Sequence, residues 1–136
     1  MGISSGVQPV YGPTNPSPEE RHKTEVKRFG FIIGLVPGKE QCYRKLHSRT
    51  WPEVLKRLRN SHIRNYSIYT AKLEGKKYLF SYWEYTGTNY DTDMKAIADD
   101  PVTKLWWEEC VPCQIPLPDR KPEEHWMETE MVFLME

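Results

Sequence analysis

The chain has 136 residues with 19 basic and 19 acidic side chains, so its formal net charge is zero and leaves no electrostatic footprint for nucleic acid or an anionic membrane. The length suits one domain that buries a core without metal or disulfide staples, and no apolar run approaches the ~20 residues of a membrane span. Three cysteines cannot all pair within one chain, and the N-terminus lacks the apolar segment of a secretory signal, so a reduced, cytoplasmic protein is expected.

Residues 1–25 carry Pro9, Pro13, Pro16 and Pro18 among polar and charged residues. Little of that segment can repay its ordering entropy, so it is expected to be a flexible arm ahead of a domain at residues 26–136. Arg28 to Val36 is a short apolar run ended by Pro37-Gly38 and reads as a buried strand. Gly30 and Gly34 share one face of it, which predicts close approach by another element. Lys39 to Asn60 follows a helical period, with Pro52 breaking or restarting the helix near Trp51.

Ile63 to Ala71 and Lys77 to Tyr85 read as two strands of a hairpin, joined by a loop over Leu73 to Lys76. Thr88 to Asp100 reads as a helix. Asp100-Pro101 predicts a cap with proline at the first position of a second helix running through Glu109. Val111 to Pro122 holds four prolines and is expected to be an irregular connector. Trp126 to Leu134 reads as a last strand. The order predicts an α+β fold of ferredoxin-like βαββαβ type, an antiparallel sheet with helices on one face. Phe29, Phe31, Ile33 and Leu35 then point one way, Ile32 and Val36 the other. An open apolar sheet face predicts a homodimer paired through that face, a dimeric α/β-barrel type of assembly.

The stretch from Tyr43 to Glu53 carries the most chemistry. Tyr43 and His47 are spaced i, i+4 and share a helix face, where a phenol and an imidazole can hold a polyol and move its protons. An imidazole titrates near neutrality, at ~6.5, and serves as acid or base. Trp106 and Trp107 offer flat apolar walls for a sugar, one indole entering the core and the other edging a pocket. Tyr66 on a strand and Glu84 near a strand end complete the set, Glu84 for hydroxyl binding or base work. Each has a plainer reading: a surface histidine, strand tyrosines, packing tryptophans and a solvated carboxylate.

Tyr43-Arg-Lys-Leu-His47-Ser-Arg-Thr-Trp51-Pro52-Glu53, Asn65-Tyr66-Ser-Ile-Tyr69, Leu79-Phe80 with Glu84, and Trp106-Trp107 together resemble the L-rhamnose mutarotase family over about residues 28 to 135. That resemblance implies a small, dimeric, ferredoxin-like isomerase without a cofactor. Such enzymes interconvert the α and β anomers of L-rhamnose. It further implies His47 as proton donor, with Tyr43, Tyr66, Trp106 and Trp107 contacting the sugar. Two stretches look longer than the family pattern, Lys72 to Lys77 and Thr86 to Asp93, and either can reshape a pocket rim. L-fucose or another 6-deoxy sugar is the alternative substrate.

Two other functions compete. Cys110-Val-Pro-Cys113 has the spacing of redox and zinc sites, but it falls at a helix C-terminus, where the dipole opposes a thiolate. No second tight pair of ligands accompanies it among Cys42, His47, His62 and His125, so no metal is expected. A sugar-binding module or a small monooxygenase on the same fold is separated from a mutarotase only by measuring anomer exchange.

Overall fold

The computed structural model describes residues 8–136. Strand β1 (Lys27–Leu35) is the centre of the sheet and pairs antiparallel with β3 (Lys76–Tyr85), from Lys27↔Tyr85 to Gly34↔Tyr78. Strand β2 (Ile63–Leu73) pairs with the other side of β3. The loop expected between them is only a two-residue turn. Glu74 and Gly75 both have positive φ, 51° and 81°, the turn type whose twist matches that of the strands.

The free edge of β1 is shared by two short strands. β4 (Gln114–Ile115) takes Gly34 and Leu35, and β5 (Met127–Glu128) takes Phe31 and Ile32. Both expected close approaches occur here: a Cβ on Gly30 would lie 2.8 Å from Thr129 Oγ1, and one on Gly34 2.9 Å from the Ile115 carbonyl oxygen. Two expectations are corrected. The stretch after Val111 is not wholly irregular, because it opens with a 3-10 turn, Val111–Cys113, and then β4. Pro116 and Pro118 have no N–H to extend that pairing, so β4 stops at Ile115. The last strand spans two residues rather than Trp126 to Leu134. The backbone pairing with β1 ends at Thr129, and farther on the Leu134 N–H bonds the Thr14 carbonyl at 2.7 Å.

Among the described residues four α-helices cover the sheet. The expected break falls between α1 (Glu40–Ser48) and α2 (Pro52–Asn60): Trp51 is extended ahead of Pro52, which occupies the first turn of α2. Helix α3 (Tyr90–Asp99) begins two residues later than its apolar pattern because the Asn89 side chain caps it through the Thr92 N–H. Asp100 caps α4 (Pro101–Cys110) through both the N–H and the hydroxyl of Thr103, as the Asp-Pro pair predicts.

Helices α1, α2 and α4 enclose one core with Ile33, Leu35 and Leu79, to which they bring Tyr43, Val54, Trp106 and Cys110. Helix α3 adds Ile97 to a second cluster with Phe29, Ile63 and Tyr85. The sheet pairing puts Ile32, Phe80 and Tyr69 on the opposite face, where Tyr69 is 59% exposed. No helix among the described residues is long and apolar enough to cross a membrane.

Candidate active site

Helix α1 presents Tyr43 and His47 one turn apart, with ring centroids 4.2 Å apart and planes 27° from parallel. The His47 Nδ1–H donates to the Tyr43 carbonyl oxygen at 2.9 Å. A carbonyl only accepts, so this bond assigns the hydrogen to Nδ1 and leaves Nε2 as a bare lone pair in the neutral ring. Burial lowers the His47 pKa below its usual value, and the bond to the Tyr43 carbonyl only partly opposes that shift. The ring is thus a neutral base at physiological pH.

Trp106 stands edge-on to His47 at 5.3 Å and edge-on to Trp51 at the same distance. Helix α4 therefore braces the imidazole from above, and the Trp51-Pro52 break supplies the wall behind Trp106. Trp106 is 6% exposed; its neighbour Trp107, about 100° around the helix, is 42% exposed. Of the two, Trp106 reaches the cavity and Trp107 points outward.

That cavity measures about 680 Å³ and is lined by His47, Tyr66, Trp106, Ile68, Leu58 and Arg59, among others. A smaller recess of about 110 Å³ continues past His47 to Tyr43 and Leu79. Burial pushes the Tyr66 hydroxyl up to about 12, although the residue as a whole is 41% exposed. Burial holds the Tyr43 phenol higher still, so both keep their protons.

Tyr66 reaches this face through a bulge. Strand alternation counted from buried Ile63 would send Tyr66 to the opposite side of the sheet. The register shifts between Arg64 and Ser67, and Asn65 takes the left-handed conformation at φ 50°. The inserted residue turns Tyr66 to the helix side, edge-on to Trp83 at 5.2 Å.

Glu84 is not brought to this site. It alternates with buried Tyr85, so it lies on the sheet face away from the helices, where Asn65 Nδ2 and the Tyr82 hydroxyl each donate to it at 2.8 Å. Those two bonds hold its carboxyl below the usual range. Neither stretch that looked expanded lines the cavity: Lys72–Lys77 forms the hairpin end, and Thr86–Asp93 precedes and opens α3. Burial pushes the Cys110 thiol up to about 12 and raises Cys113 as well, so neither is held as a thiolate. Among the described residues no group of three or more histidine, cysteine or acidic side chains converges on a metal position.

Leu58, Arg59 and Ile68 are cavity residues that the sequence pattern did not single out, and Gln114, which donates to the Tyr43 hydroxyl at 3.3 Å, is another contact it missed. The helical period shows Leu58 as a core position, but nothing in one sequence marks it as a wall.

The family model described as L-rhamnose mutarotase matches residues 28–135. The L-rhamnose mutarotase of Phocaeicola vulgatus is 33% identical over 71% of this chain and 88% of its own length. That of Ligilactobacillus salivarius is 36% identical over 70% and 86%. The crystal structure of L-rhamnose mutarotase from Formosa agariphila superposes with a TM-score of 0.61 at 26% identity, covering 81% of this chain and 99% of that one.

Proposed function

The chain belongs to the L-rhamnose mutarotase family, and from that premise we propose that it interconverts the α and β anomers of L-rhamnose in the cavity beside His47. The observation that carries this reading is one ring: a neutral imidazole whose Nδ1 is occupied and whose Nε2 is free at the wall of a cavity shared with Tyr66 and Trp106.

Mutarotation breaks C1–O5, frees rotation about C1–C2 and recloses on the other face. In opening, His47 Nε2 takes the proton from the anomeric hydroxyl, the C1–O1 bond becomes a carbonyl, and O5 receives a proton from a phenol. Closure reverses each transfer, and there His47 is the proton donor. The order therefore differs from that of a simple acid: His47 starts as base. Tyr66 and Tyr43 are the phenols available for O5, and Trp106 offers an indole to the C–H face of the sugar. A positioned acid–base group of this kind contributes about 10²–10⁴-fold.

The catalytic domain in this proposal is residues 26–136, consistent with a family match that begins at residue 28, and residues 1–25 are an arm outside it. The strand order β2-β3-β1-β4 supports a ferredoxin-like assignment. The apolar face carrying Ile32, Phe80 and Tyr69 supports a homodimer, which sedimentation as a monomer at micromolar concentration would refute. The three unpaired cysteines fit action in the cytoplasm.

Saturation-difference NMR on the anomeric protons of L-rhamnose tests the reaction. Catalytic amounts of protein should accelerate α/β exchange well beyond buffer. Exchange at the buffer rate, with L-fucose as the second substrate showing the same, overturns the assignment.

A further inference from the structure

Beyond His47 and its cavity, a pair of side chains from the connector and its far end reaches the buried phenol of Tyr43. Gln114 Nε2 donates to the Tyr43 hydroxyl oxygen at 3.3 Å, and Gln114 Oε1 lies 2.8 Å from His125 Nε2. We propose that Gln114 and His125 are positioning residues for Tyr43: the imidazole N–H holds the amide so that its NH₂ end bonds the phenol oxygen and leaves the phenol proton for the sugar. This rests on the mutarotase reading above and goes beyond it by fixing the direction of one proton.

The reasoning is one of donors and acceptors. The Tyr43 hydroxyl has a single proton, and burial keeps that proton on it. An amide rotated by half a turn would present Oε1 to Tyr43 and absorb the proton. A hydrogen on His125 Nε2 opposes the rotation, because an N–H there requires the oxygen of the amide. The same N–H is present when the ring is neutral with its hydrogen on Nε2 and when it is fully protonated, so acid does not release the amide. Among the described residues no other acceptor takes the Tyr43 proton, and the recess beside that ring is shared with His47.

Both positioning residues are themselves held. Gln114 opens β4 with its register set by Leu35, and the neighbouring Cys113 carbonyl accepts the Val36 N–H at 2.8 Å. His125 stands two residues ahead of Met127, which pairs with Ile32. Between them Arg120 closes the connector, donating to the carbonyls of Leu117 and Glu124 at 2.9 Å each. The proline-rich stretch is thus a braced loop that delivers two polar groups to the back of the catalytic helix.

The test compares variants by exchange kinetics and by NMR of the Gln114 side-chain amide in the full chain. Gln114→Glu offers only acceptors to Tyr43 and should lower kcat on the order of 100-fold with little change in KM. His125→Ala should lower kcat roughly tenfold by letting the amide turn. His125→Gln, which returns an N–H at the same reach, should restore most of it. In the wild type the Gln114 amide protons should exchange slowly with solvent, and faster in His125→Ala. Wild-type kcat in Gln114→Glu, or no rescue by His125→Gln in a folded protein, overturns the proposal. If the wild type itself fails to accelerate L-rhamnose exchange, the functional reading falls. The amide exchange then still decides the geometry: protection that is equal with and without His125 overturns it, and protection lost with His125 upholds it.

Discussion

His47, inside α1, and His62, two residues after α2, each commit Nδ1 to a hydrogen bond, and each has a tyrosine ring beside it. Their partners differ. His47 donates to a carbonyl, is partly buried and lines a cavity of about 680 Å³. His62 faces the Asp93 carboxylate at 3.1 Å with 48% of its side chain exposed. Asp93 also accepts a hydrogen bond from the hydroxyl of fully buried Tyr85, whose oxygen accepts the Asn89 N–H at 3.0 Å. That bond from Tyr85, ahead of the one from His62, holds the Asp93 carboxyl below its usual range. One constellation leaves a lone pair free for a ligand. The other spends its groups on tying the start of β2 and the end of β3 to α3. A histidine with a tyrosine is thus a site only where its remaining nitrogen meets a cavity.

His47→Ala tests the contrast most strongly. It should cut anomer exchange by about 10²–10⁴-fold while the thermal transition stays cooperative, and His62→Ala should leave the exchange rate at the wild-type level. Equal losses in the two variants would end the distinction. Next in size is the support behind His47. Trp106→Ala empties a buried site and should cost about 3–5 kcal/mol in denaturant melts, together with most of the activity. Trp107→Ala, on the outer side of the same helix, should change stability by no more than about 0.5 kcal/mol.

The Asp93 cluster should answer in stability alone. Tyr85→Phe leaves the Asn89 N–H and the Asp93 carboxylate each short of a partner and should cost about 1–3 kcal/mol with kcat unchanged. Gly87→Ala strikes the same cluster, because a Cβ there would collide with the Tyr85 hydroxyl and Asp93 Oδ2; overpacking of this kind costs about 1–3 kcal/mol.

The smallest effect is the dependence on pH. The folded pKa of His47 lies below its unfolded value of 6.5, so the unfolded chain binds more protons in between. Stability from this ring is full above 6.5 and declines as pH falls from there toward the folded pKa. Activity falls through that folded pKa, as the base is lost. The folded pKa of Asp93 lies below 3.8, so its contribution is present above 3.8 and disappears only as pH falls through the folded value. A pH–rate profile beside melts at pH 7.5, 5.5 and 3 should therefore show the His47 limb first, with the Asp93 cluster intact. Coincident limbs would contradict the assignment.

Much of this was legible in the residues. Helical spacing alone stacks Tyr43 on His47, Pro52 restarts a helix and Asp100-Pro101 caps another, because each rests on contacts within one or two turns. The alternation of Glu84 with Tyr85 was also readable, but not which of the two faced the helices. The final strands were misjudged because β4 and β5 exist only as partners of β1, and nothing local marks where two short segments will share one edge.

By itself, then, the sequence determined the helix that carries Tyr43 and His47, its aromatic and basic groups, and the family they resemble. Tertiary structure decided which groups meet there. A single inserted residue at Asn65 turned Tyr66 to the helix side of the sheet, while alternation with buried Tyr85 put Glu84 on the other face. A bond spanning 71 positions carried Gln114 to Tyr43. Local periodicity is fixed by backbone geometry within a few residues. The side of a strand that faces a cavity, and the partner of a buried hydroxyl, depend on pairings that form only when distant segments close on one another.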